Sequence, residues 1–380
     1  MTHFLNDILR QPDELRRTIE LLAGSKGSGR GALEAAVDAI RGSRHVYLTG
    51  IGSSWHAALN VSVLFSHEHP VYLHDAAELL AFAQFPKPSA MIVISRSGKS
   101  TEIVQLAAQA RKVGVTVVGI TNVAEGTLAK EAHHTIVVPT KLDHAISVNT
   151  YTTLALAAGM LASSVVAEKE KADSSGENRP QNDRSKLKSR PANLSELAAS
   201  LTQAFAEAGR AIPRWQEQIA KSHWLKPHST TYFLARWSSL GSAYEARLMW
   251  EEGVKSPATA MGTGSFRHGP QEIVEKGVRF GMWIDGTLMR EQDLALARDL
   301  RKLGAHVMLV GQKLPEDAGD LVFQLPAIPA EWQFLIGIIP AQLVAERLAG
   351  LSGVDCDTFR LSSYIVEDEG GLLPKEGKKN

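Results

Sequence analysis

Cysteine is almost absent: the 380-residue chain holds one, Cys356. A single thiol excludes a disulfide framework and any cysteine-rich zinc site, and it fits a reducing compartment. An excess of either charge is absent too. Lys and Arg number 41, as do Asp and Glu, so no electrostatic footprint for nucleic acid or an anionic membrane is expected. No run of about 18 apolar residues occurs, and no membrane span is expected. The stretch Met1–Leu22 is charged and helix-like, without the apolar centre of a secretory signal. These absences together place the chain in the cytoplasm. His133, His134 and His144 lack ligand partners at fixed spacing, so no metal is expected. No cofactor is implied either.

What is present is an ordinary globular composition, 44% hydrophobic and 22% charged, over a length that suits two domains of about 150 residues. The first half alternates strand-like apolar runs with helix-like segments. The runs are His45–Thr49, Val71–His74, Met91–Ser95, Val115–Thr121 and His134–Val138. Between them, segments such as Ser100–Val113 carry apolar residues at helical spacing (Ile103, Val104, Leu106, Ala107, Ala110). Such alternation, with strands apolar almost throughout, predicts a parallel sheet covered on both faces. Residues 167–192 then lose nearly all large apolar side chains. They cannot bury enough surface to offset their ordering entropy, and read as a linker. The second half repeats the pattern, with strand candidates Thr231–Ala235, Val278–Asp285, His306–Gly311 and Leu321–Leu325. His45–Ala58 (HVYLTGIGSSWHAA) and Thr231–Ala246 (TYFLARWSSLGSAYEA) match in type: strand, small-residue turn, helix start. Two similar halves follow. The expected division is a first domain over 1–165, a polar linker over 166–195, a second domain over 196–355 and a tail over 356–380. The N-terminal helix and the tail are expected to be appendages.

One turn carries a chemical suggestion. Ser95-Arg96-Ser97-Gly98-Lys99-Ser100 follows a strand and opens a helix, which puts hydroxyls and unpaired N–H groups at a positive helix end. Gly98 permits close backbone approach. Open parallel sheets bind ligands at this end of their strands. Serine is also a common N-cap, and many such turns bind nothing. The spacing is not that of a P-loop, and the second turn, Gly50-Ile51-Gly52-Ser53-Ser54, lacks the third glycine of the dinucleotide fingerprint. Two such turns in one half strengthen a phosphate reading.

With these residues in hand, a family resemblance emerges. Met91–Ile103 (MIVISRSGKSTEI) with Gly50–Ala57 (GIGSSWHA) resembles the SIS (sugar isomerase) domain. Glu245–Pro270 (EARLMWEEGVKSPATAMGTGSFRHGP) resembles, without a gap, the segment of the isomerase half of glutamine-dependent glucosamine-6-phosphate synthases that carries a catalytic glutamate and a His-Gly-Pro. Gln11–Thr18 resembles the start of that half. The resemblance implies an α/β fold of two tandem SIS domains, each a parallel five-stranded sheet flanked by helices (αβα, flavodoxin-like). It also implies a homodimer with shared active sites acting on a small sugar phosphate, without nucleic acid or membrane. By motif matching, Ser53 and Ser54 fall on a sugar-phosphate turn, and Ser95, Arg96, Ser97 and Ser100 on the phosphate cradle. Ser147 and Asn149 fall in a segment lining the sugar. Glu252 falls on the catalytic base, and His268 on a histidine that assists ring opening from the neighbouring subunit. Two departures stand out. The glutaminase domain is missing, so glutamine hydrolysis is not expected of this chain. Tyr364, or Ser363 with a slipped register, stands where the family has a catalytic lysine, and Lys99, Lys255 or a tail residue are its candidate replacements.

The chemistry asks for a base near two sugar carbons and a proton donor to the ring oxygen. Glu252 suits the first role if its pocket is partly dry, and His268 suits the second near neutral pH. Each also has an ordinary reading: Glu251-Glu252 as a solvated acidic pair, His268 as a surface histidine. Glu245 could cap, pair with Arg247 or Arg236, or touch substrate. Arg236 reads as structural, His56 as packing, and Trp237, Trp250 and Trp283 as core or interface. The expected function is that of a phosphosugar isomerase or aminosugar-phosphate enzyme interconverting glucosamine 6-phosphate and fructose 6-phosphate by enediol-type proton transfer, in a deaminating or ammonia-using direction. Deglycation of a phosphorylated sugar–amine adduct and simple aldose–ketose isomerisation are variants. The alternative is a sugar-phosphate sensor without chemistry.

Overall fold

The structure, a computed structural model, describes residues 1–65, 69–173, 193–226, 229–361 and 365–366. The chain opens with helices α1 (His3–Ala23) and α2 (Arg30–Arg41). Strand β1 (His45–Thr49) leads into α3 (Ser53–Val61), β2 (Val71–Leu73) into α4 (Ala76–Phe82), and β3 (Ser89–Ser95) into α5 (Thr101–Lys112). Then come β4 (Thr116–Thr121), α6 (Thr127–Glu131), β5 (His134–Val137) and the long α7 (Asn149–Asp173). The second half begins with α8 (Leu194–Lys221), β6 (Thr231–Ala235), α9 (Leu240–Met249) and β7 (Thr259–Gly262). It continues through α10 (Thr263–Phe266), β8 (Arg279–Ile284), α11 (Arg290–Lys302), β9 (His306–Gly311) and β10 (Leu321–Gln324). It ends in α12 (Phe334–Gly337) and α13 (Ile339–Leu351).

Each half forms a five-stranded, all-parallel sheet, β2-β1-β3-β4-β5 and β10-β9-β8-β6-β7. Counted from its own first strand, each runs 2-1-3-4-5, a doubly wound order whose crevice opens beyond the carboxyl ends of the first and third strands. The expected strands all form, and β7 is added to them. It is a four-residue edge strand of Thr, Ala, Met and Gly, which carries little β-propensity of its own. The central strands β3 and β8 are buried at every residue, as strands covered on both faces must be.

The halves do not stand apart. Helices α3 and α9, the equivalent first helices of the two lobes, cross so closely that a Cβ on Gly241 would lie 2.1 Å from the carbonyl oxygen of His56. One apolar core runs through both lobes, from Val118 and Leu156 to Phe233, Trp283 and Val344. Helix α1, expected as an appendage, is built into that core by Phe4, Ile8, Leu15, Ile19 and Leu22. A buried bond from Gln11 Nε2 to Gln342 Oε1 (2.7 Å) ties it to α13. The tail is tied in as well, because the Asp357 carboxylate accepts from the amides of His3 and Phe4, both at 2.8 Å, at the open end of α1. Two helical stretches, Asn149–Ala167 and Phe334–Leu351, are long and apolar enough to span a bilayer, but 83% and 78% of them is buried inside the protein. The α7 helix continues to Asp173, so the expected linker begins as helix. Residues 174–192 lie outside the described part.

Candidate active site

The carboxyl ends of β1 and β3 open into the two small-residue turns. A Cβ on Gly50 would sit 2.6 Å from the backbone carbon of Ser54, so only glycine lets α3 fold back this tightly onto its strand. Gly98 has φ +64°, a left-handed conformation costly to other residues, and a Cβ there would press on Leu128 Cβ at 3.0 Å. Ser95 Oγ accepts from the Gly98 amide (3.1 Å) and Ser97 Oγ from the Lys99 amide (3.2 Å). Each hydroxyl thereby shapes the turn and keeps its own proton for another acceptor. Ser100 is the N-cap of α5 but makes no side-chain cap bond.

The third wall is the loop entering α7. Asp143 organises it: its carboxylate accepts from the amides of Val148, Asn149 and Thr150 (2.9, 3.0 and 2.9 Å) and from Thr150 Oγ1 (2.6 Å). From the β3 turn, Arg96 donates to the carbonyls of Asp143 (2.9 Å) and Ala145 (3.3 Å), stapling this loop to the serine turn.

The fourth wall comes from the second lobe. Glu245, Leu248 and Glu252 recur three and four residues apart, so one face of α9 and its continuation points at the first lobe. The helix widens to a π turn over Trp250–Val254, a geometry often found at functional positions. Glu252 projects from this turn into the cavity. Burial pushes its carboxyl pKa up to about 8; the Glu245 carboxylate adds to the rise and Lys255 and Arg96 oppose it. Below about pH 8, Glu252 therefore holds its proton.

These walls enclose a cavity of about 270 Å³. Ser53, Ser54, Ser95, Arg96, Ser97 and Ser100 line it from the two turns, Ser147 from the α7 loop, and Glu252 from the second lobe. Eight of the ten residues singled out from sequence thus meet in one place. Asn149 does not face it: fully buried, its amide donates to Asp7 O (2.9 Å) and Asp143 Oδ1 (2.7 Å) and holds α1 against α7. His268 is exposed, after α10, and does not line the cavity either. Lys99 is exposed and outside the lining. Lys255 Nζ is engaged by the carbonyls of Glu252 and Thr358, the latter at 2.8 Å, and lies over the Phe359 ring at 5.7 Å. Tyr364 and Ser363 lie outside the described residues.

Two features were not assigned from sequence. The tail contributes Phe359, Ile365 and Val366 to the cavity, and the Val366 carbonyl accepts from the Thr101 amide at the start of α5 (3.0 Å). No local pattern marks this, because it depends on where the last segment crosses the fold. The other is Glu245, whose fully buried carboxylate accepts from Ser53 Oγ (3.0 Å) and His56 Nδ1 (2.7 Å) across the lobe contact. Its seven-residue spacing from Glu252 was the available signal. Among the described residues no cluster of three or more metal-ligating side chains occurs.

Comparison with known proteins agrees with the two-lobed fold. Residues 39–164 match the SIS domain. The glutamine–fructose-6-phosphate aminotransferases (isomerizing) of Pyrobaculum aerophilum and Symbiobacterium thermophilum are 26% and 25% identical over 377 and 373 residues, 97% and 94% of this chain. The chain spans 58% of the length of each of these curated relatives. Among solved structures, the C-terminal domain of the aminotransferase from Francisella tularensis superposes with a TM-score of 0.77 at 20% identity, covering 93% of this chain and 98% of that one. Glucosamine-6-phosphate deaminase from Thermotoga maritima gives 0.71 at 22% identity, covering 96% and 99%. Tagatose-6-phosphate ketose/aldose isomerase from Escherichia coli gives 0.74 at 19%, covering 94% and 95%. Residues 39–164 are therefore a SIS domain, within a two-lobed chain similar over nearly its whole length to the isomerase half of the glutamine–fructose-6-phosphate aminotransferases.

Proposed function

We propose that this protein is an enzyme of hexose phosphate or amino-hexose phosphate metabolism, interconverting glucosamine 6-phosphate and fructose 6-phosphate. The observation that carries this reading is the meeting, in one cavity, of a serine-lined anion turn with a carboxyl whose pKa is pushed up to about 8. The α5 end and its serines would hold the phosphate. Glu252 would then face the other end of the sugar and carry a proton between C1 and C2 through an enediol-type intermediate. In the deaminating direction, glucosamine 6-phosphate and water give fructose 6-phosphate and ammonia. In the reverse direction free ammonia is consumed. His268 is proposed to assist ring opening from a neighbouring copy in a homodimer, because it lies outside its own chain's cavity. Its imidazole can exchange a proton near neutral pH. The names of the aminotransferase and deaminase relatives support the substrate class, and a cytoplasmic location goes with it.

The test is to incubate the protein with glucosamine 6-phosphate, and separately with fructose 6-phosphate plus ammonium, following fructose 6-phosphate and ammonia. Turnover that falls at least a hundredfold in Glu252→Gln is expected for loss of a general acid–base group. Tight binding of these sugars with no turnover of any hexose phosphate would instead support a sensor. Tyr364 in the sequence, where the family has its tail lysine, favours that second reading or a different enzyme subtype.

A further inference from the structure

We propose that Glu245 is a positioning residue of this site, fixing which way the Ser53 hydroxyl points and setting the charge that Glu252 faces; this rests on the reading of Glu252 as the proton-transfer group. The carboxylate is 1% exposed and has no Lys or Arg in bonding reach among the described residues. Its described partners are the donated protons of Ser53 Oγ (3.0 Å) and His56 Nδ1 (2.7 Å), both from α3 of the other lobe. A carboxylate so deeply placed is costly to keep, and packing alone would be served better by an apolar side chain. Two consequences follow. Ser53 lines the cavity with its proton already given to Glu245, so it faces a ligand as an acceptor. An ionised phosphate is itself an acceptor, so Ser53 reads a sugar hydroxyl, and phosphate recognition falls to Ser95, Ser97 and Ser100.

The second consequence is electrostatic. Seven helical residues put Glu245 about 10 Å from Glu252 along the axis. Around Glu245 stand Ser53 and His56 of α3 and Tyr151 of α7, whose hydroxyl burial and Glu245 push well above its ordinary pKa. Around Glu252 stand Arg96 of the β3 turn and Glu251 and Lys255 of its own segment. After burial, Glu245 is the largest influence holding the Glu252 proton on.

The experiment compares Glu245→Gln and Glu245→Ala with the parent protein. Glutamate carboxyls labelled with carbon-13 are titrated by NMR, the Glu252 signal being the one missing from Glu252→Gln. In Glu245→Gln that signal, and the acid limb of kcat/KM, are expected to move down by about one pH unit. KM should stay nearly constant there, because the amide oxygen still accepts from Ser53. In Glu245→Ala, KM should rise roughly tenfold as Ser53 loses its orientation. A Glu252 titration in Glu245→Gln that overlays the parent's overturns the proposal, whether or not the alanine variant folds. The NMR readout needs no turnover, so a parent protein that converts no hexose phosphate refutes the proposed reaction without touching this result.

Discussion

At the scale of single residues, the site holds two opposed demands. Burial and a neighbouring carboxylate make the charge of Glu252 costly, which would suit it to the proposed proton transfer near neutral pH, and the same cost weakens the fold. In the unfolded chain it titrates near 4.5, in the folded protein near 8. Between those values the folded state binds the extra proton, so unfolding becomes easier as pH rises through that window. Glu252→Gln removes this term. Urea unfolding at pH 5 and pH 9 should therefore show the variant gaining on the parent as pH rises, with no further gain well above pH 8. Gly98 makes the complementary prediction: Gly98→Ala should cost about 1–2 kcal/mol in the same assay through its left-handed backbone, and weaken sugar-phosphate binding. The serine turn was legible in the sequence because strand, turn and helix are consecutive and every constraint on them is local. Glu245 was not, since its partners Ser53 and His56 are 192 and 189 residues away and only the docking of α3 on α9 brings them together.

At the scale of elements, the long apolar strands and the periodic helices announced themselves, whereas the pieces that depend on neighbours did not. The strand β7 is four residues long and is defined by pairing with β6, Tyr232 opposite Thr259 through Ala235 opposite Gly262. Helix α1 looked peripheral because its apolar stripe could have faced any partner. The entrance to α7 is set by one side chain, Asp143, which satisfies three amides that the start of a helix leaves open. Asp143→Ala should cost about 3 kcal/mol by stranding these buried donors, and urea unfolding would measure it. It should also loosen the loop that Arg96 grips, so sugar-phosphate affinity should fall with stability. An unchanged affinity in a destabilised Asp143→Ala protein would mean that this loop does not shape the pocket.

At the scale of the whole molecule, two lobes of the same strand order differ, among the described residues, in the turn after their third strand: open after β3, internally satisfied after β8. The turn after β8 is the counterpart of the serine turn after β3, but there the Asp285 carboxylate accepts from the amides of Thr287 and Leu288 (both 2.7 Å) and from Thr287 Oγ1 (2.8 Å). The groups an incoming phosphate would need are already taken by a charge of the same sign. Calorimetric titration of Glu252→Gln with a hexose phosphate should accordingly give one site per chain. The second lobe contributes the two proposed catalytic groups instead, and it offers them in two directions: Glu252 into its own chain's cavity, His268 to the outside. If a neighbouring copy receives that histidine, Glu252→Gln and His268→Ala chains, each nearly inactive alone, should complement one another when mixed and allowed to reassociate. Random pairing makes half the dimers mixed, and each mixed dimer has one site with both groups intact, so roughly a quarter of the parent activity should return. Activity that stays at the level of the separate variants, in a sample shown by mass spectrometry to contain mixed dimers, would place the ring-opening proton within a single chain and require another donor than His268.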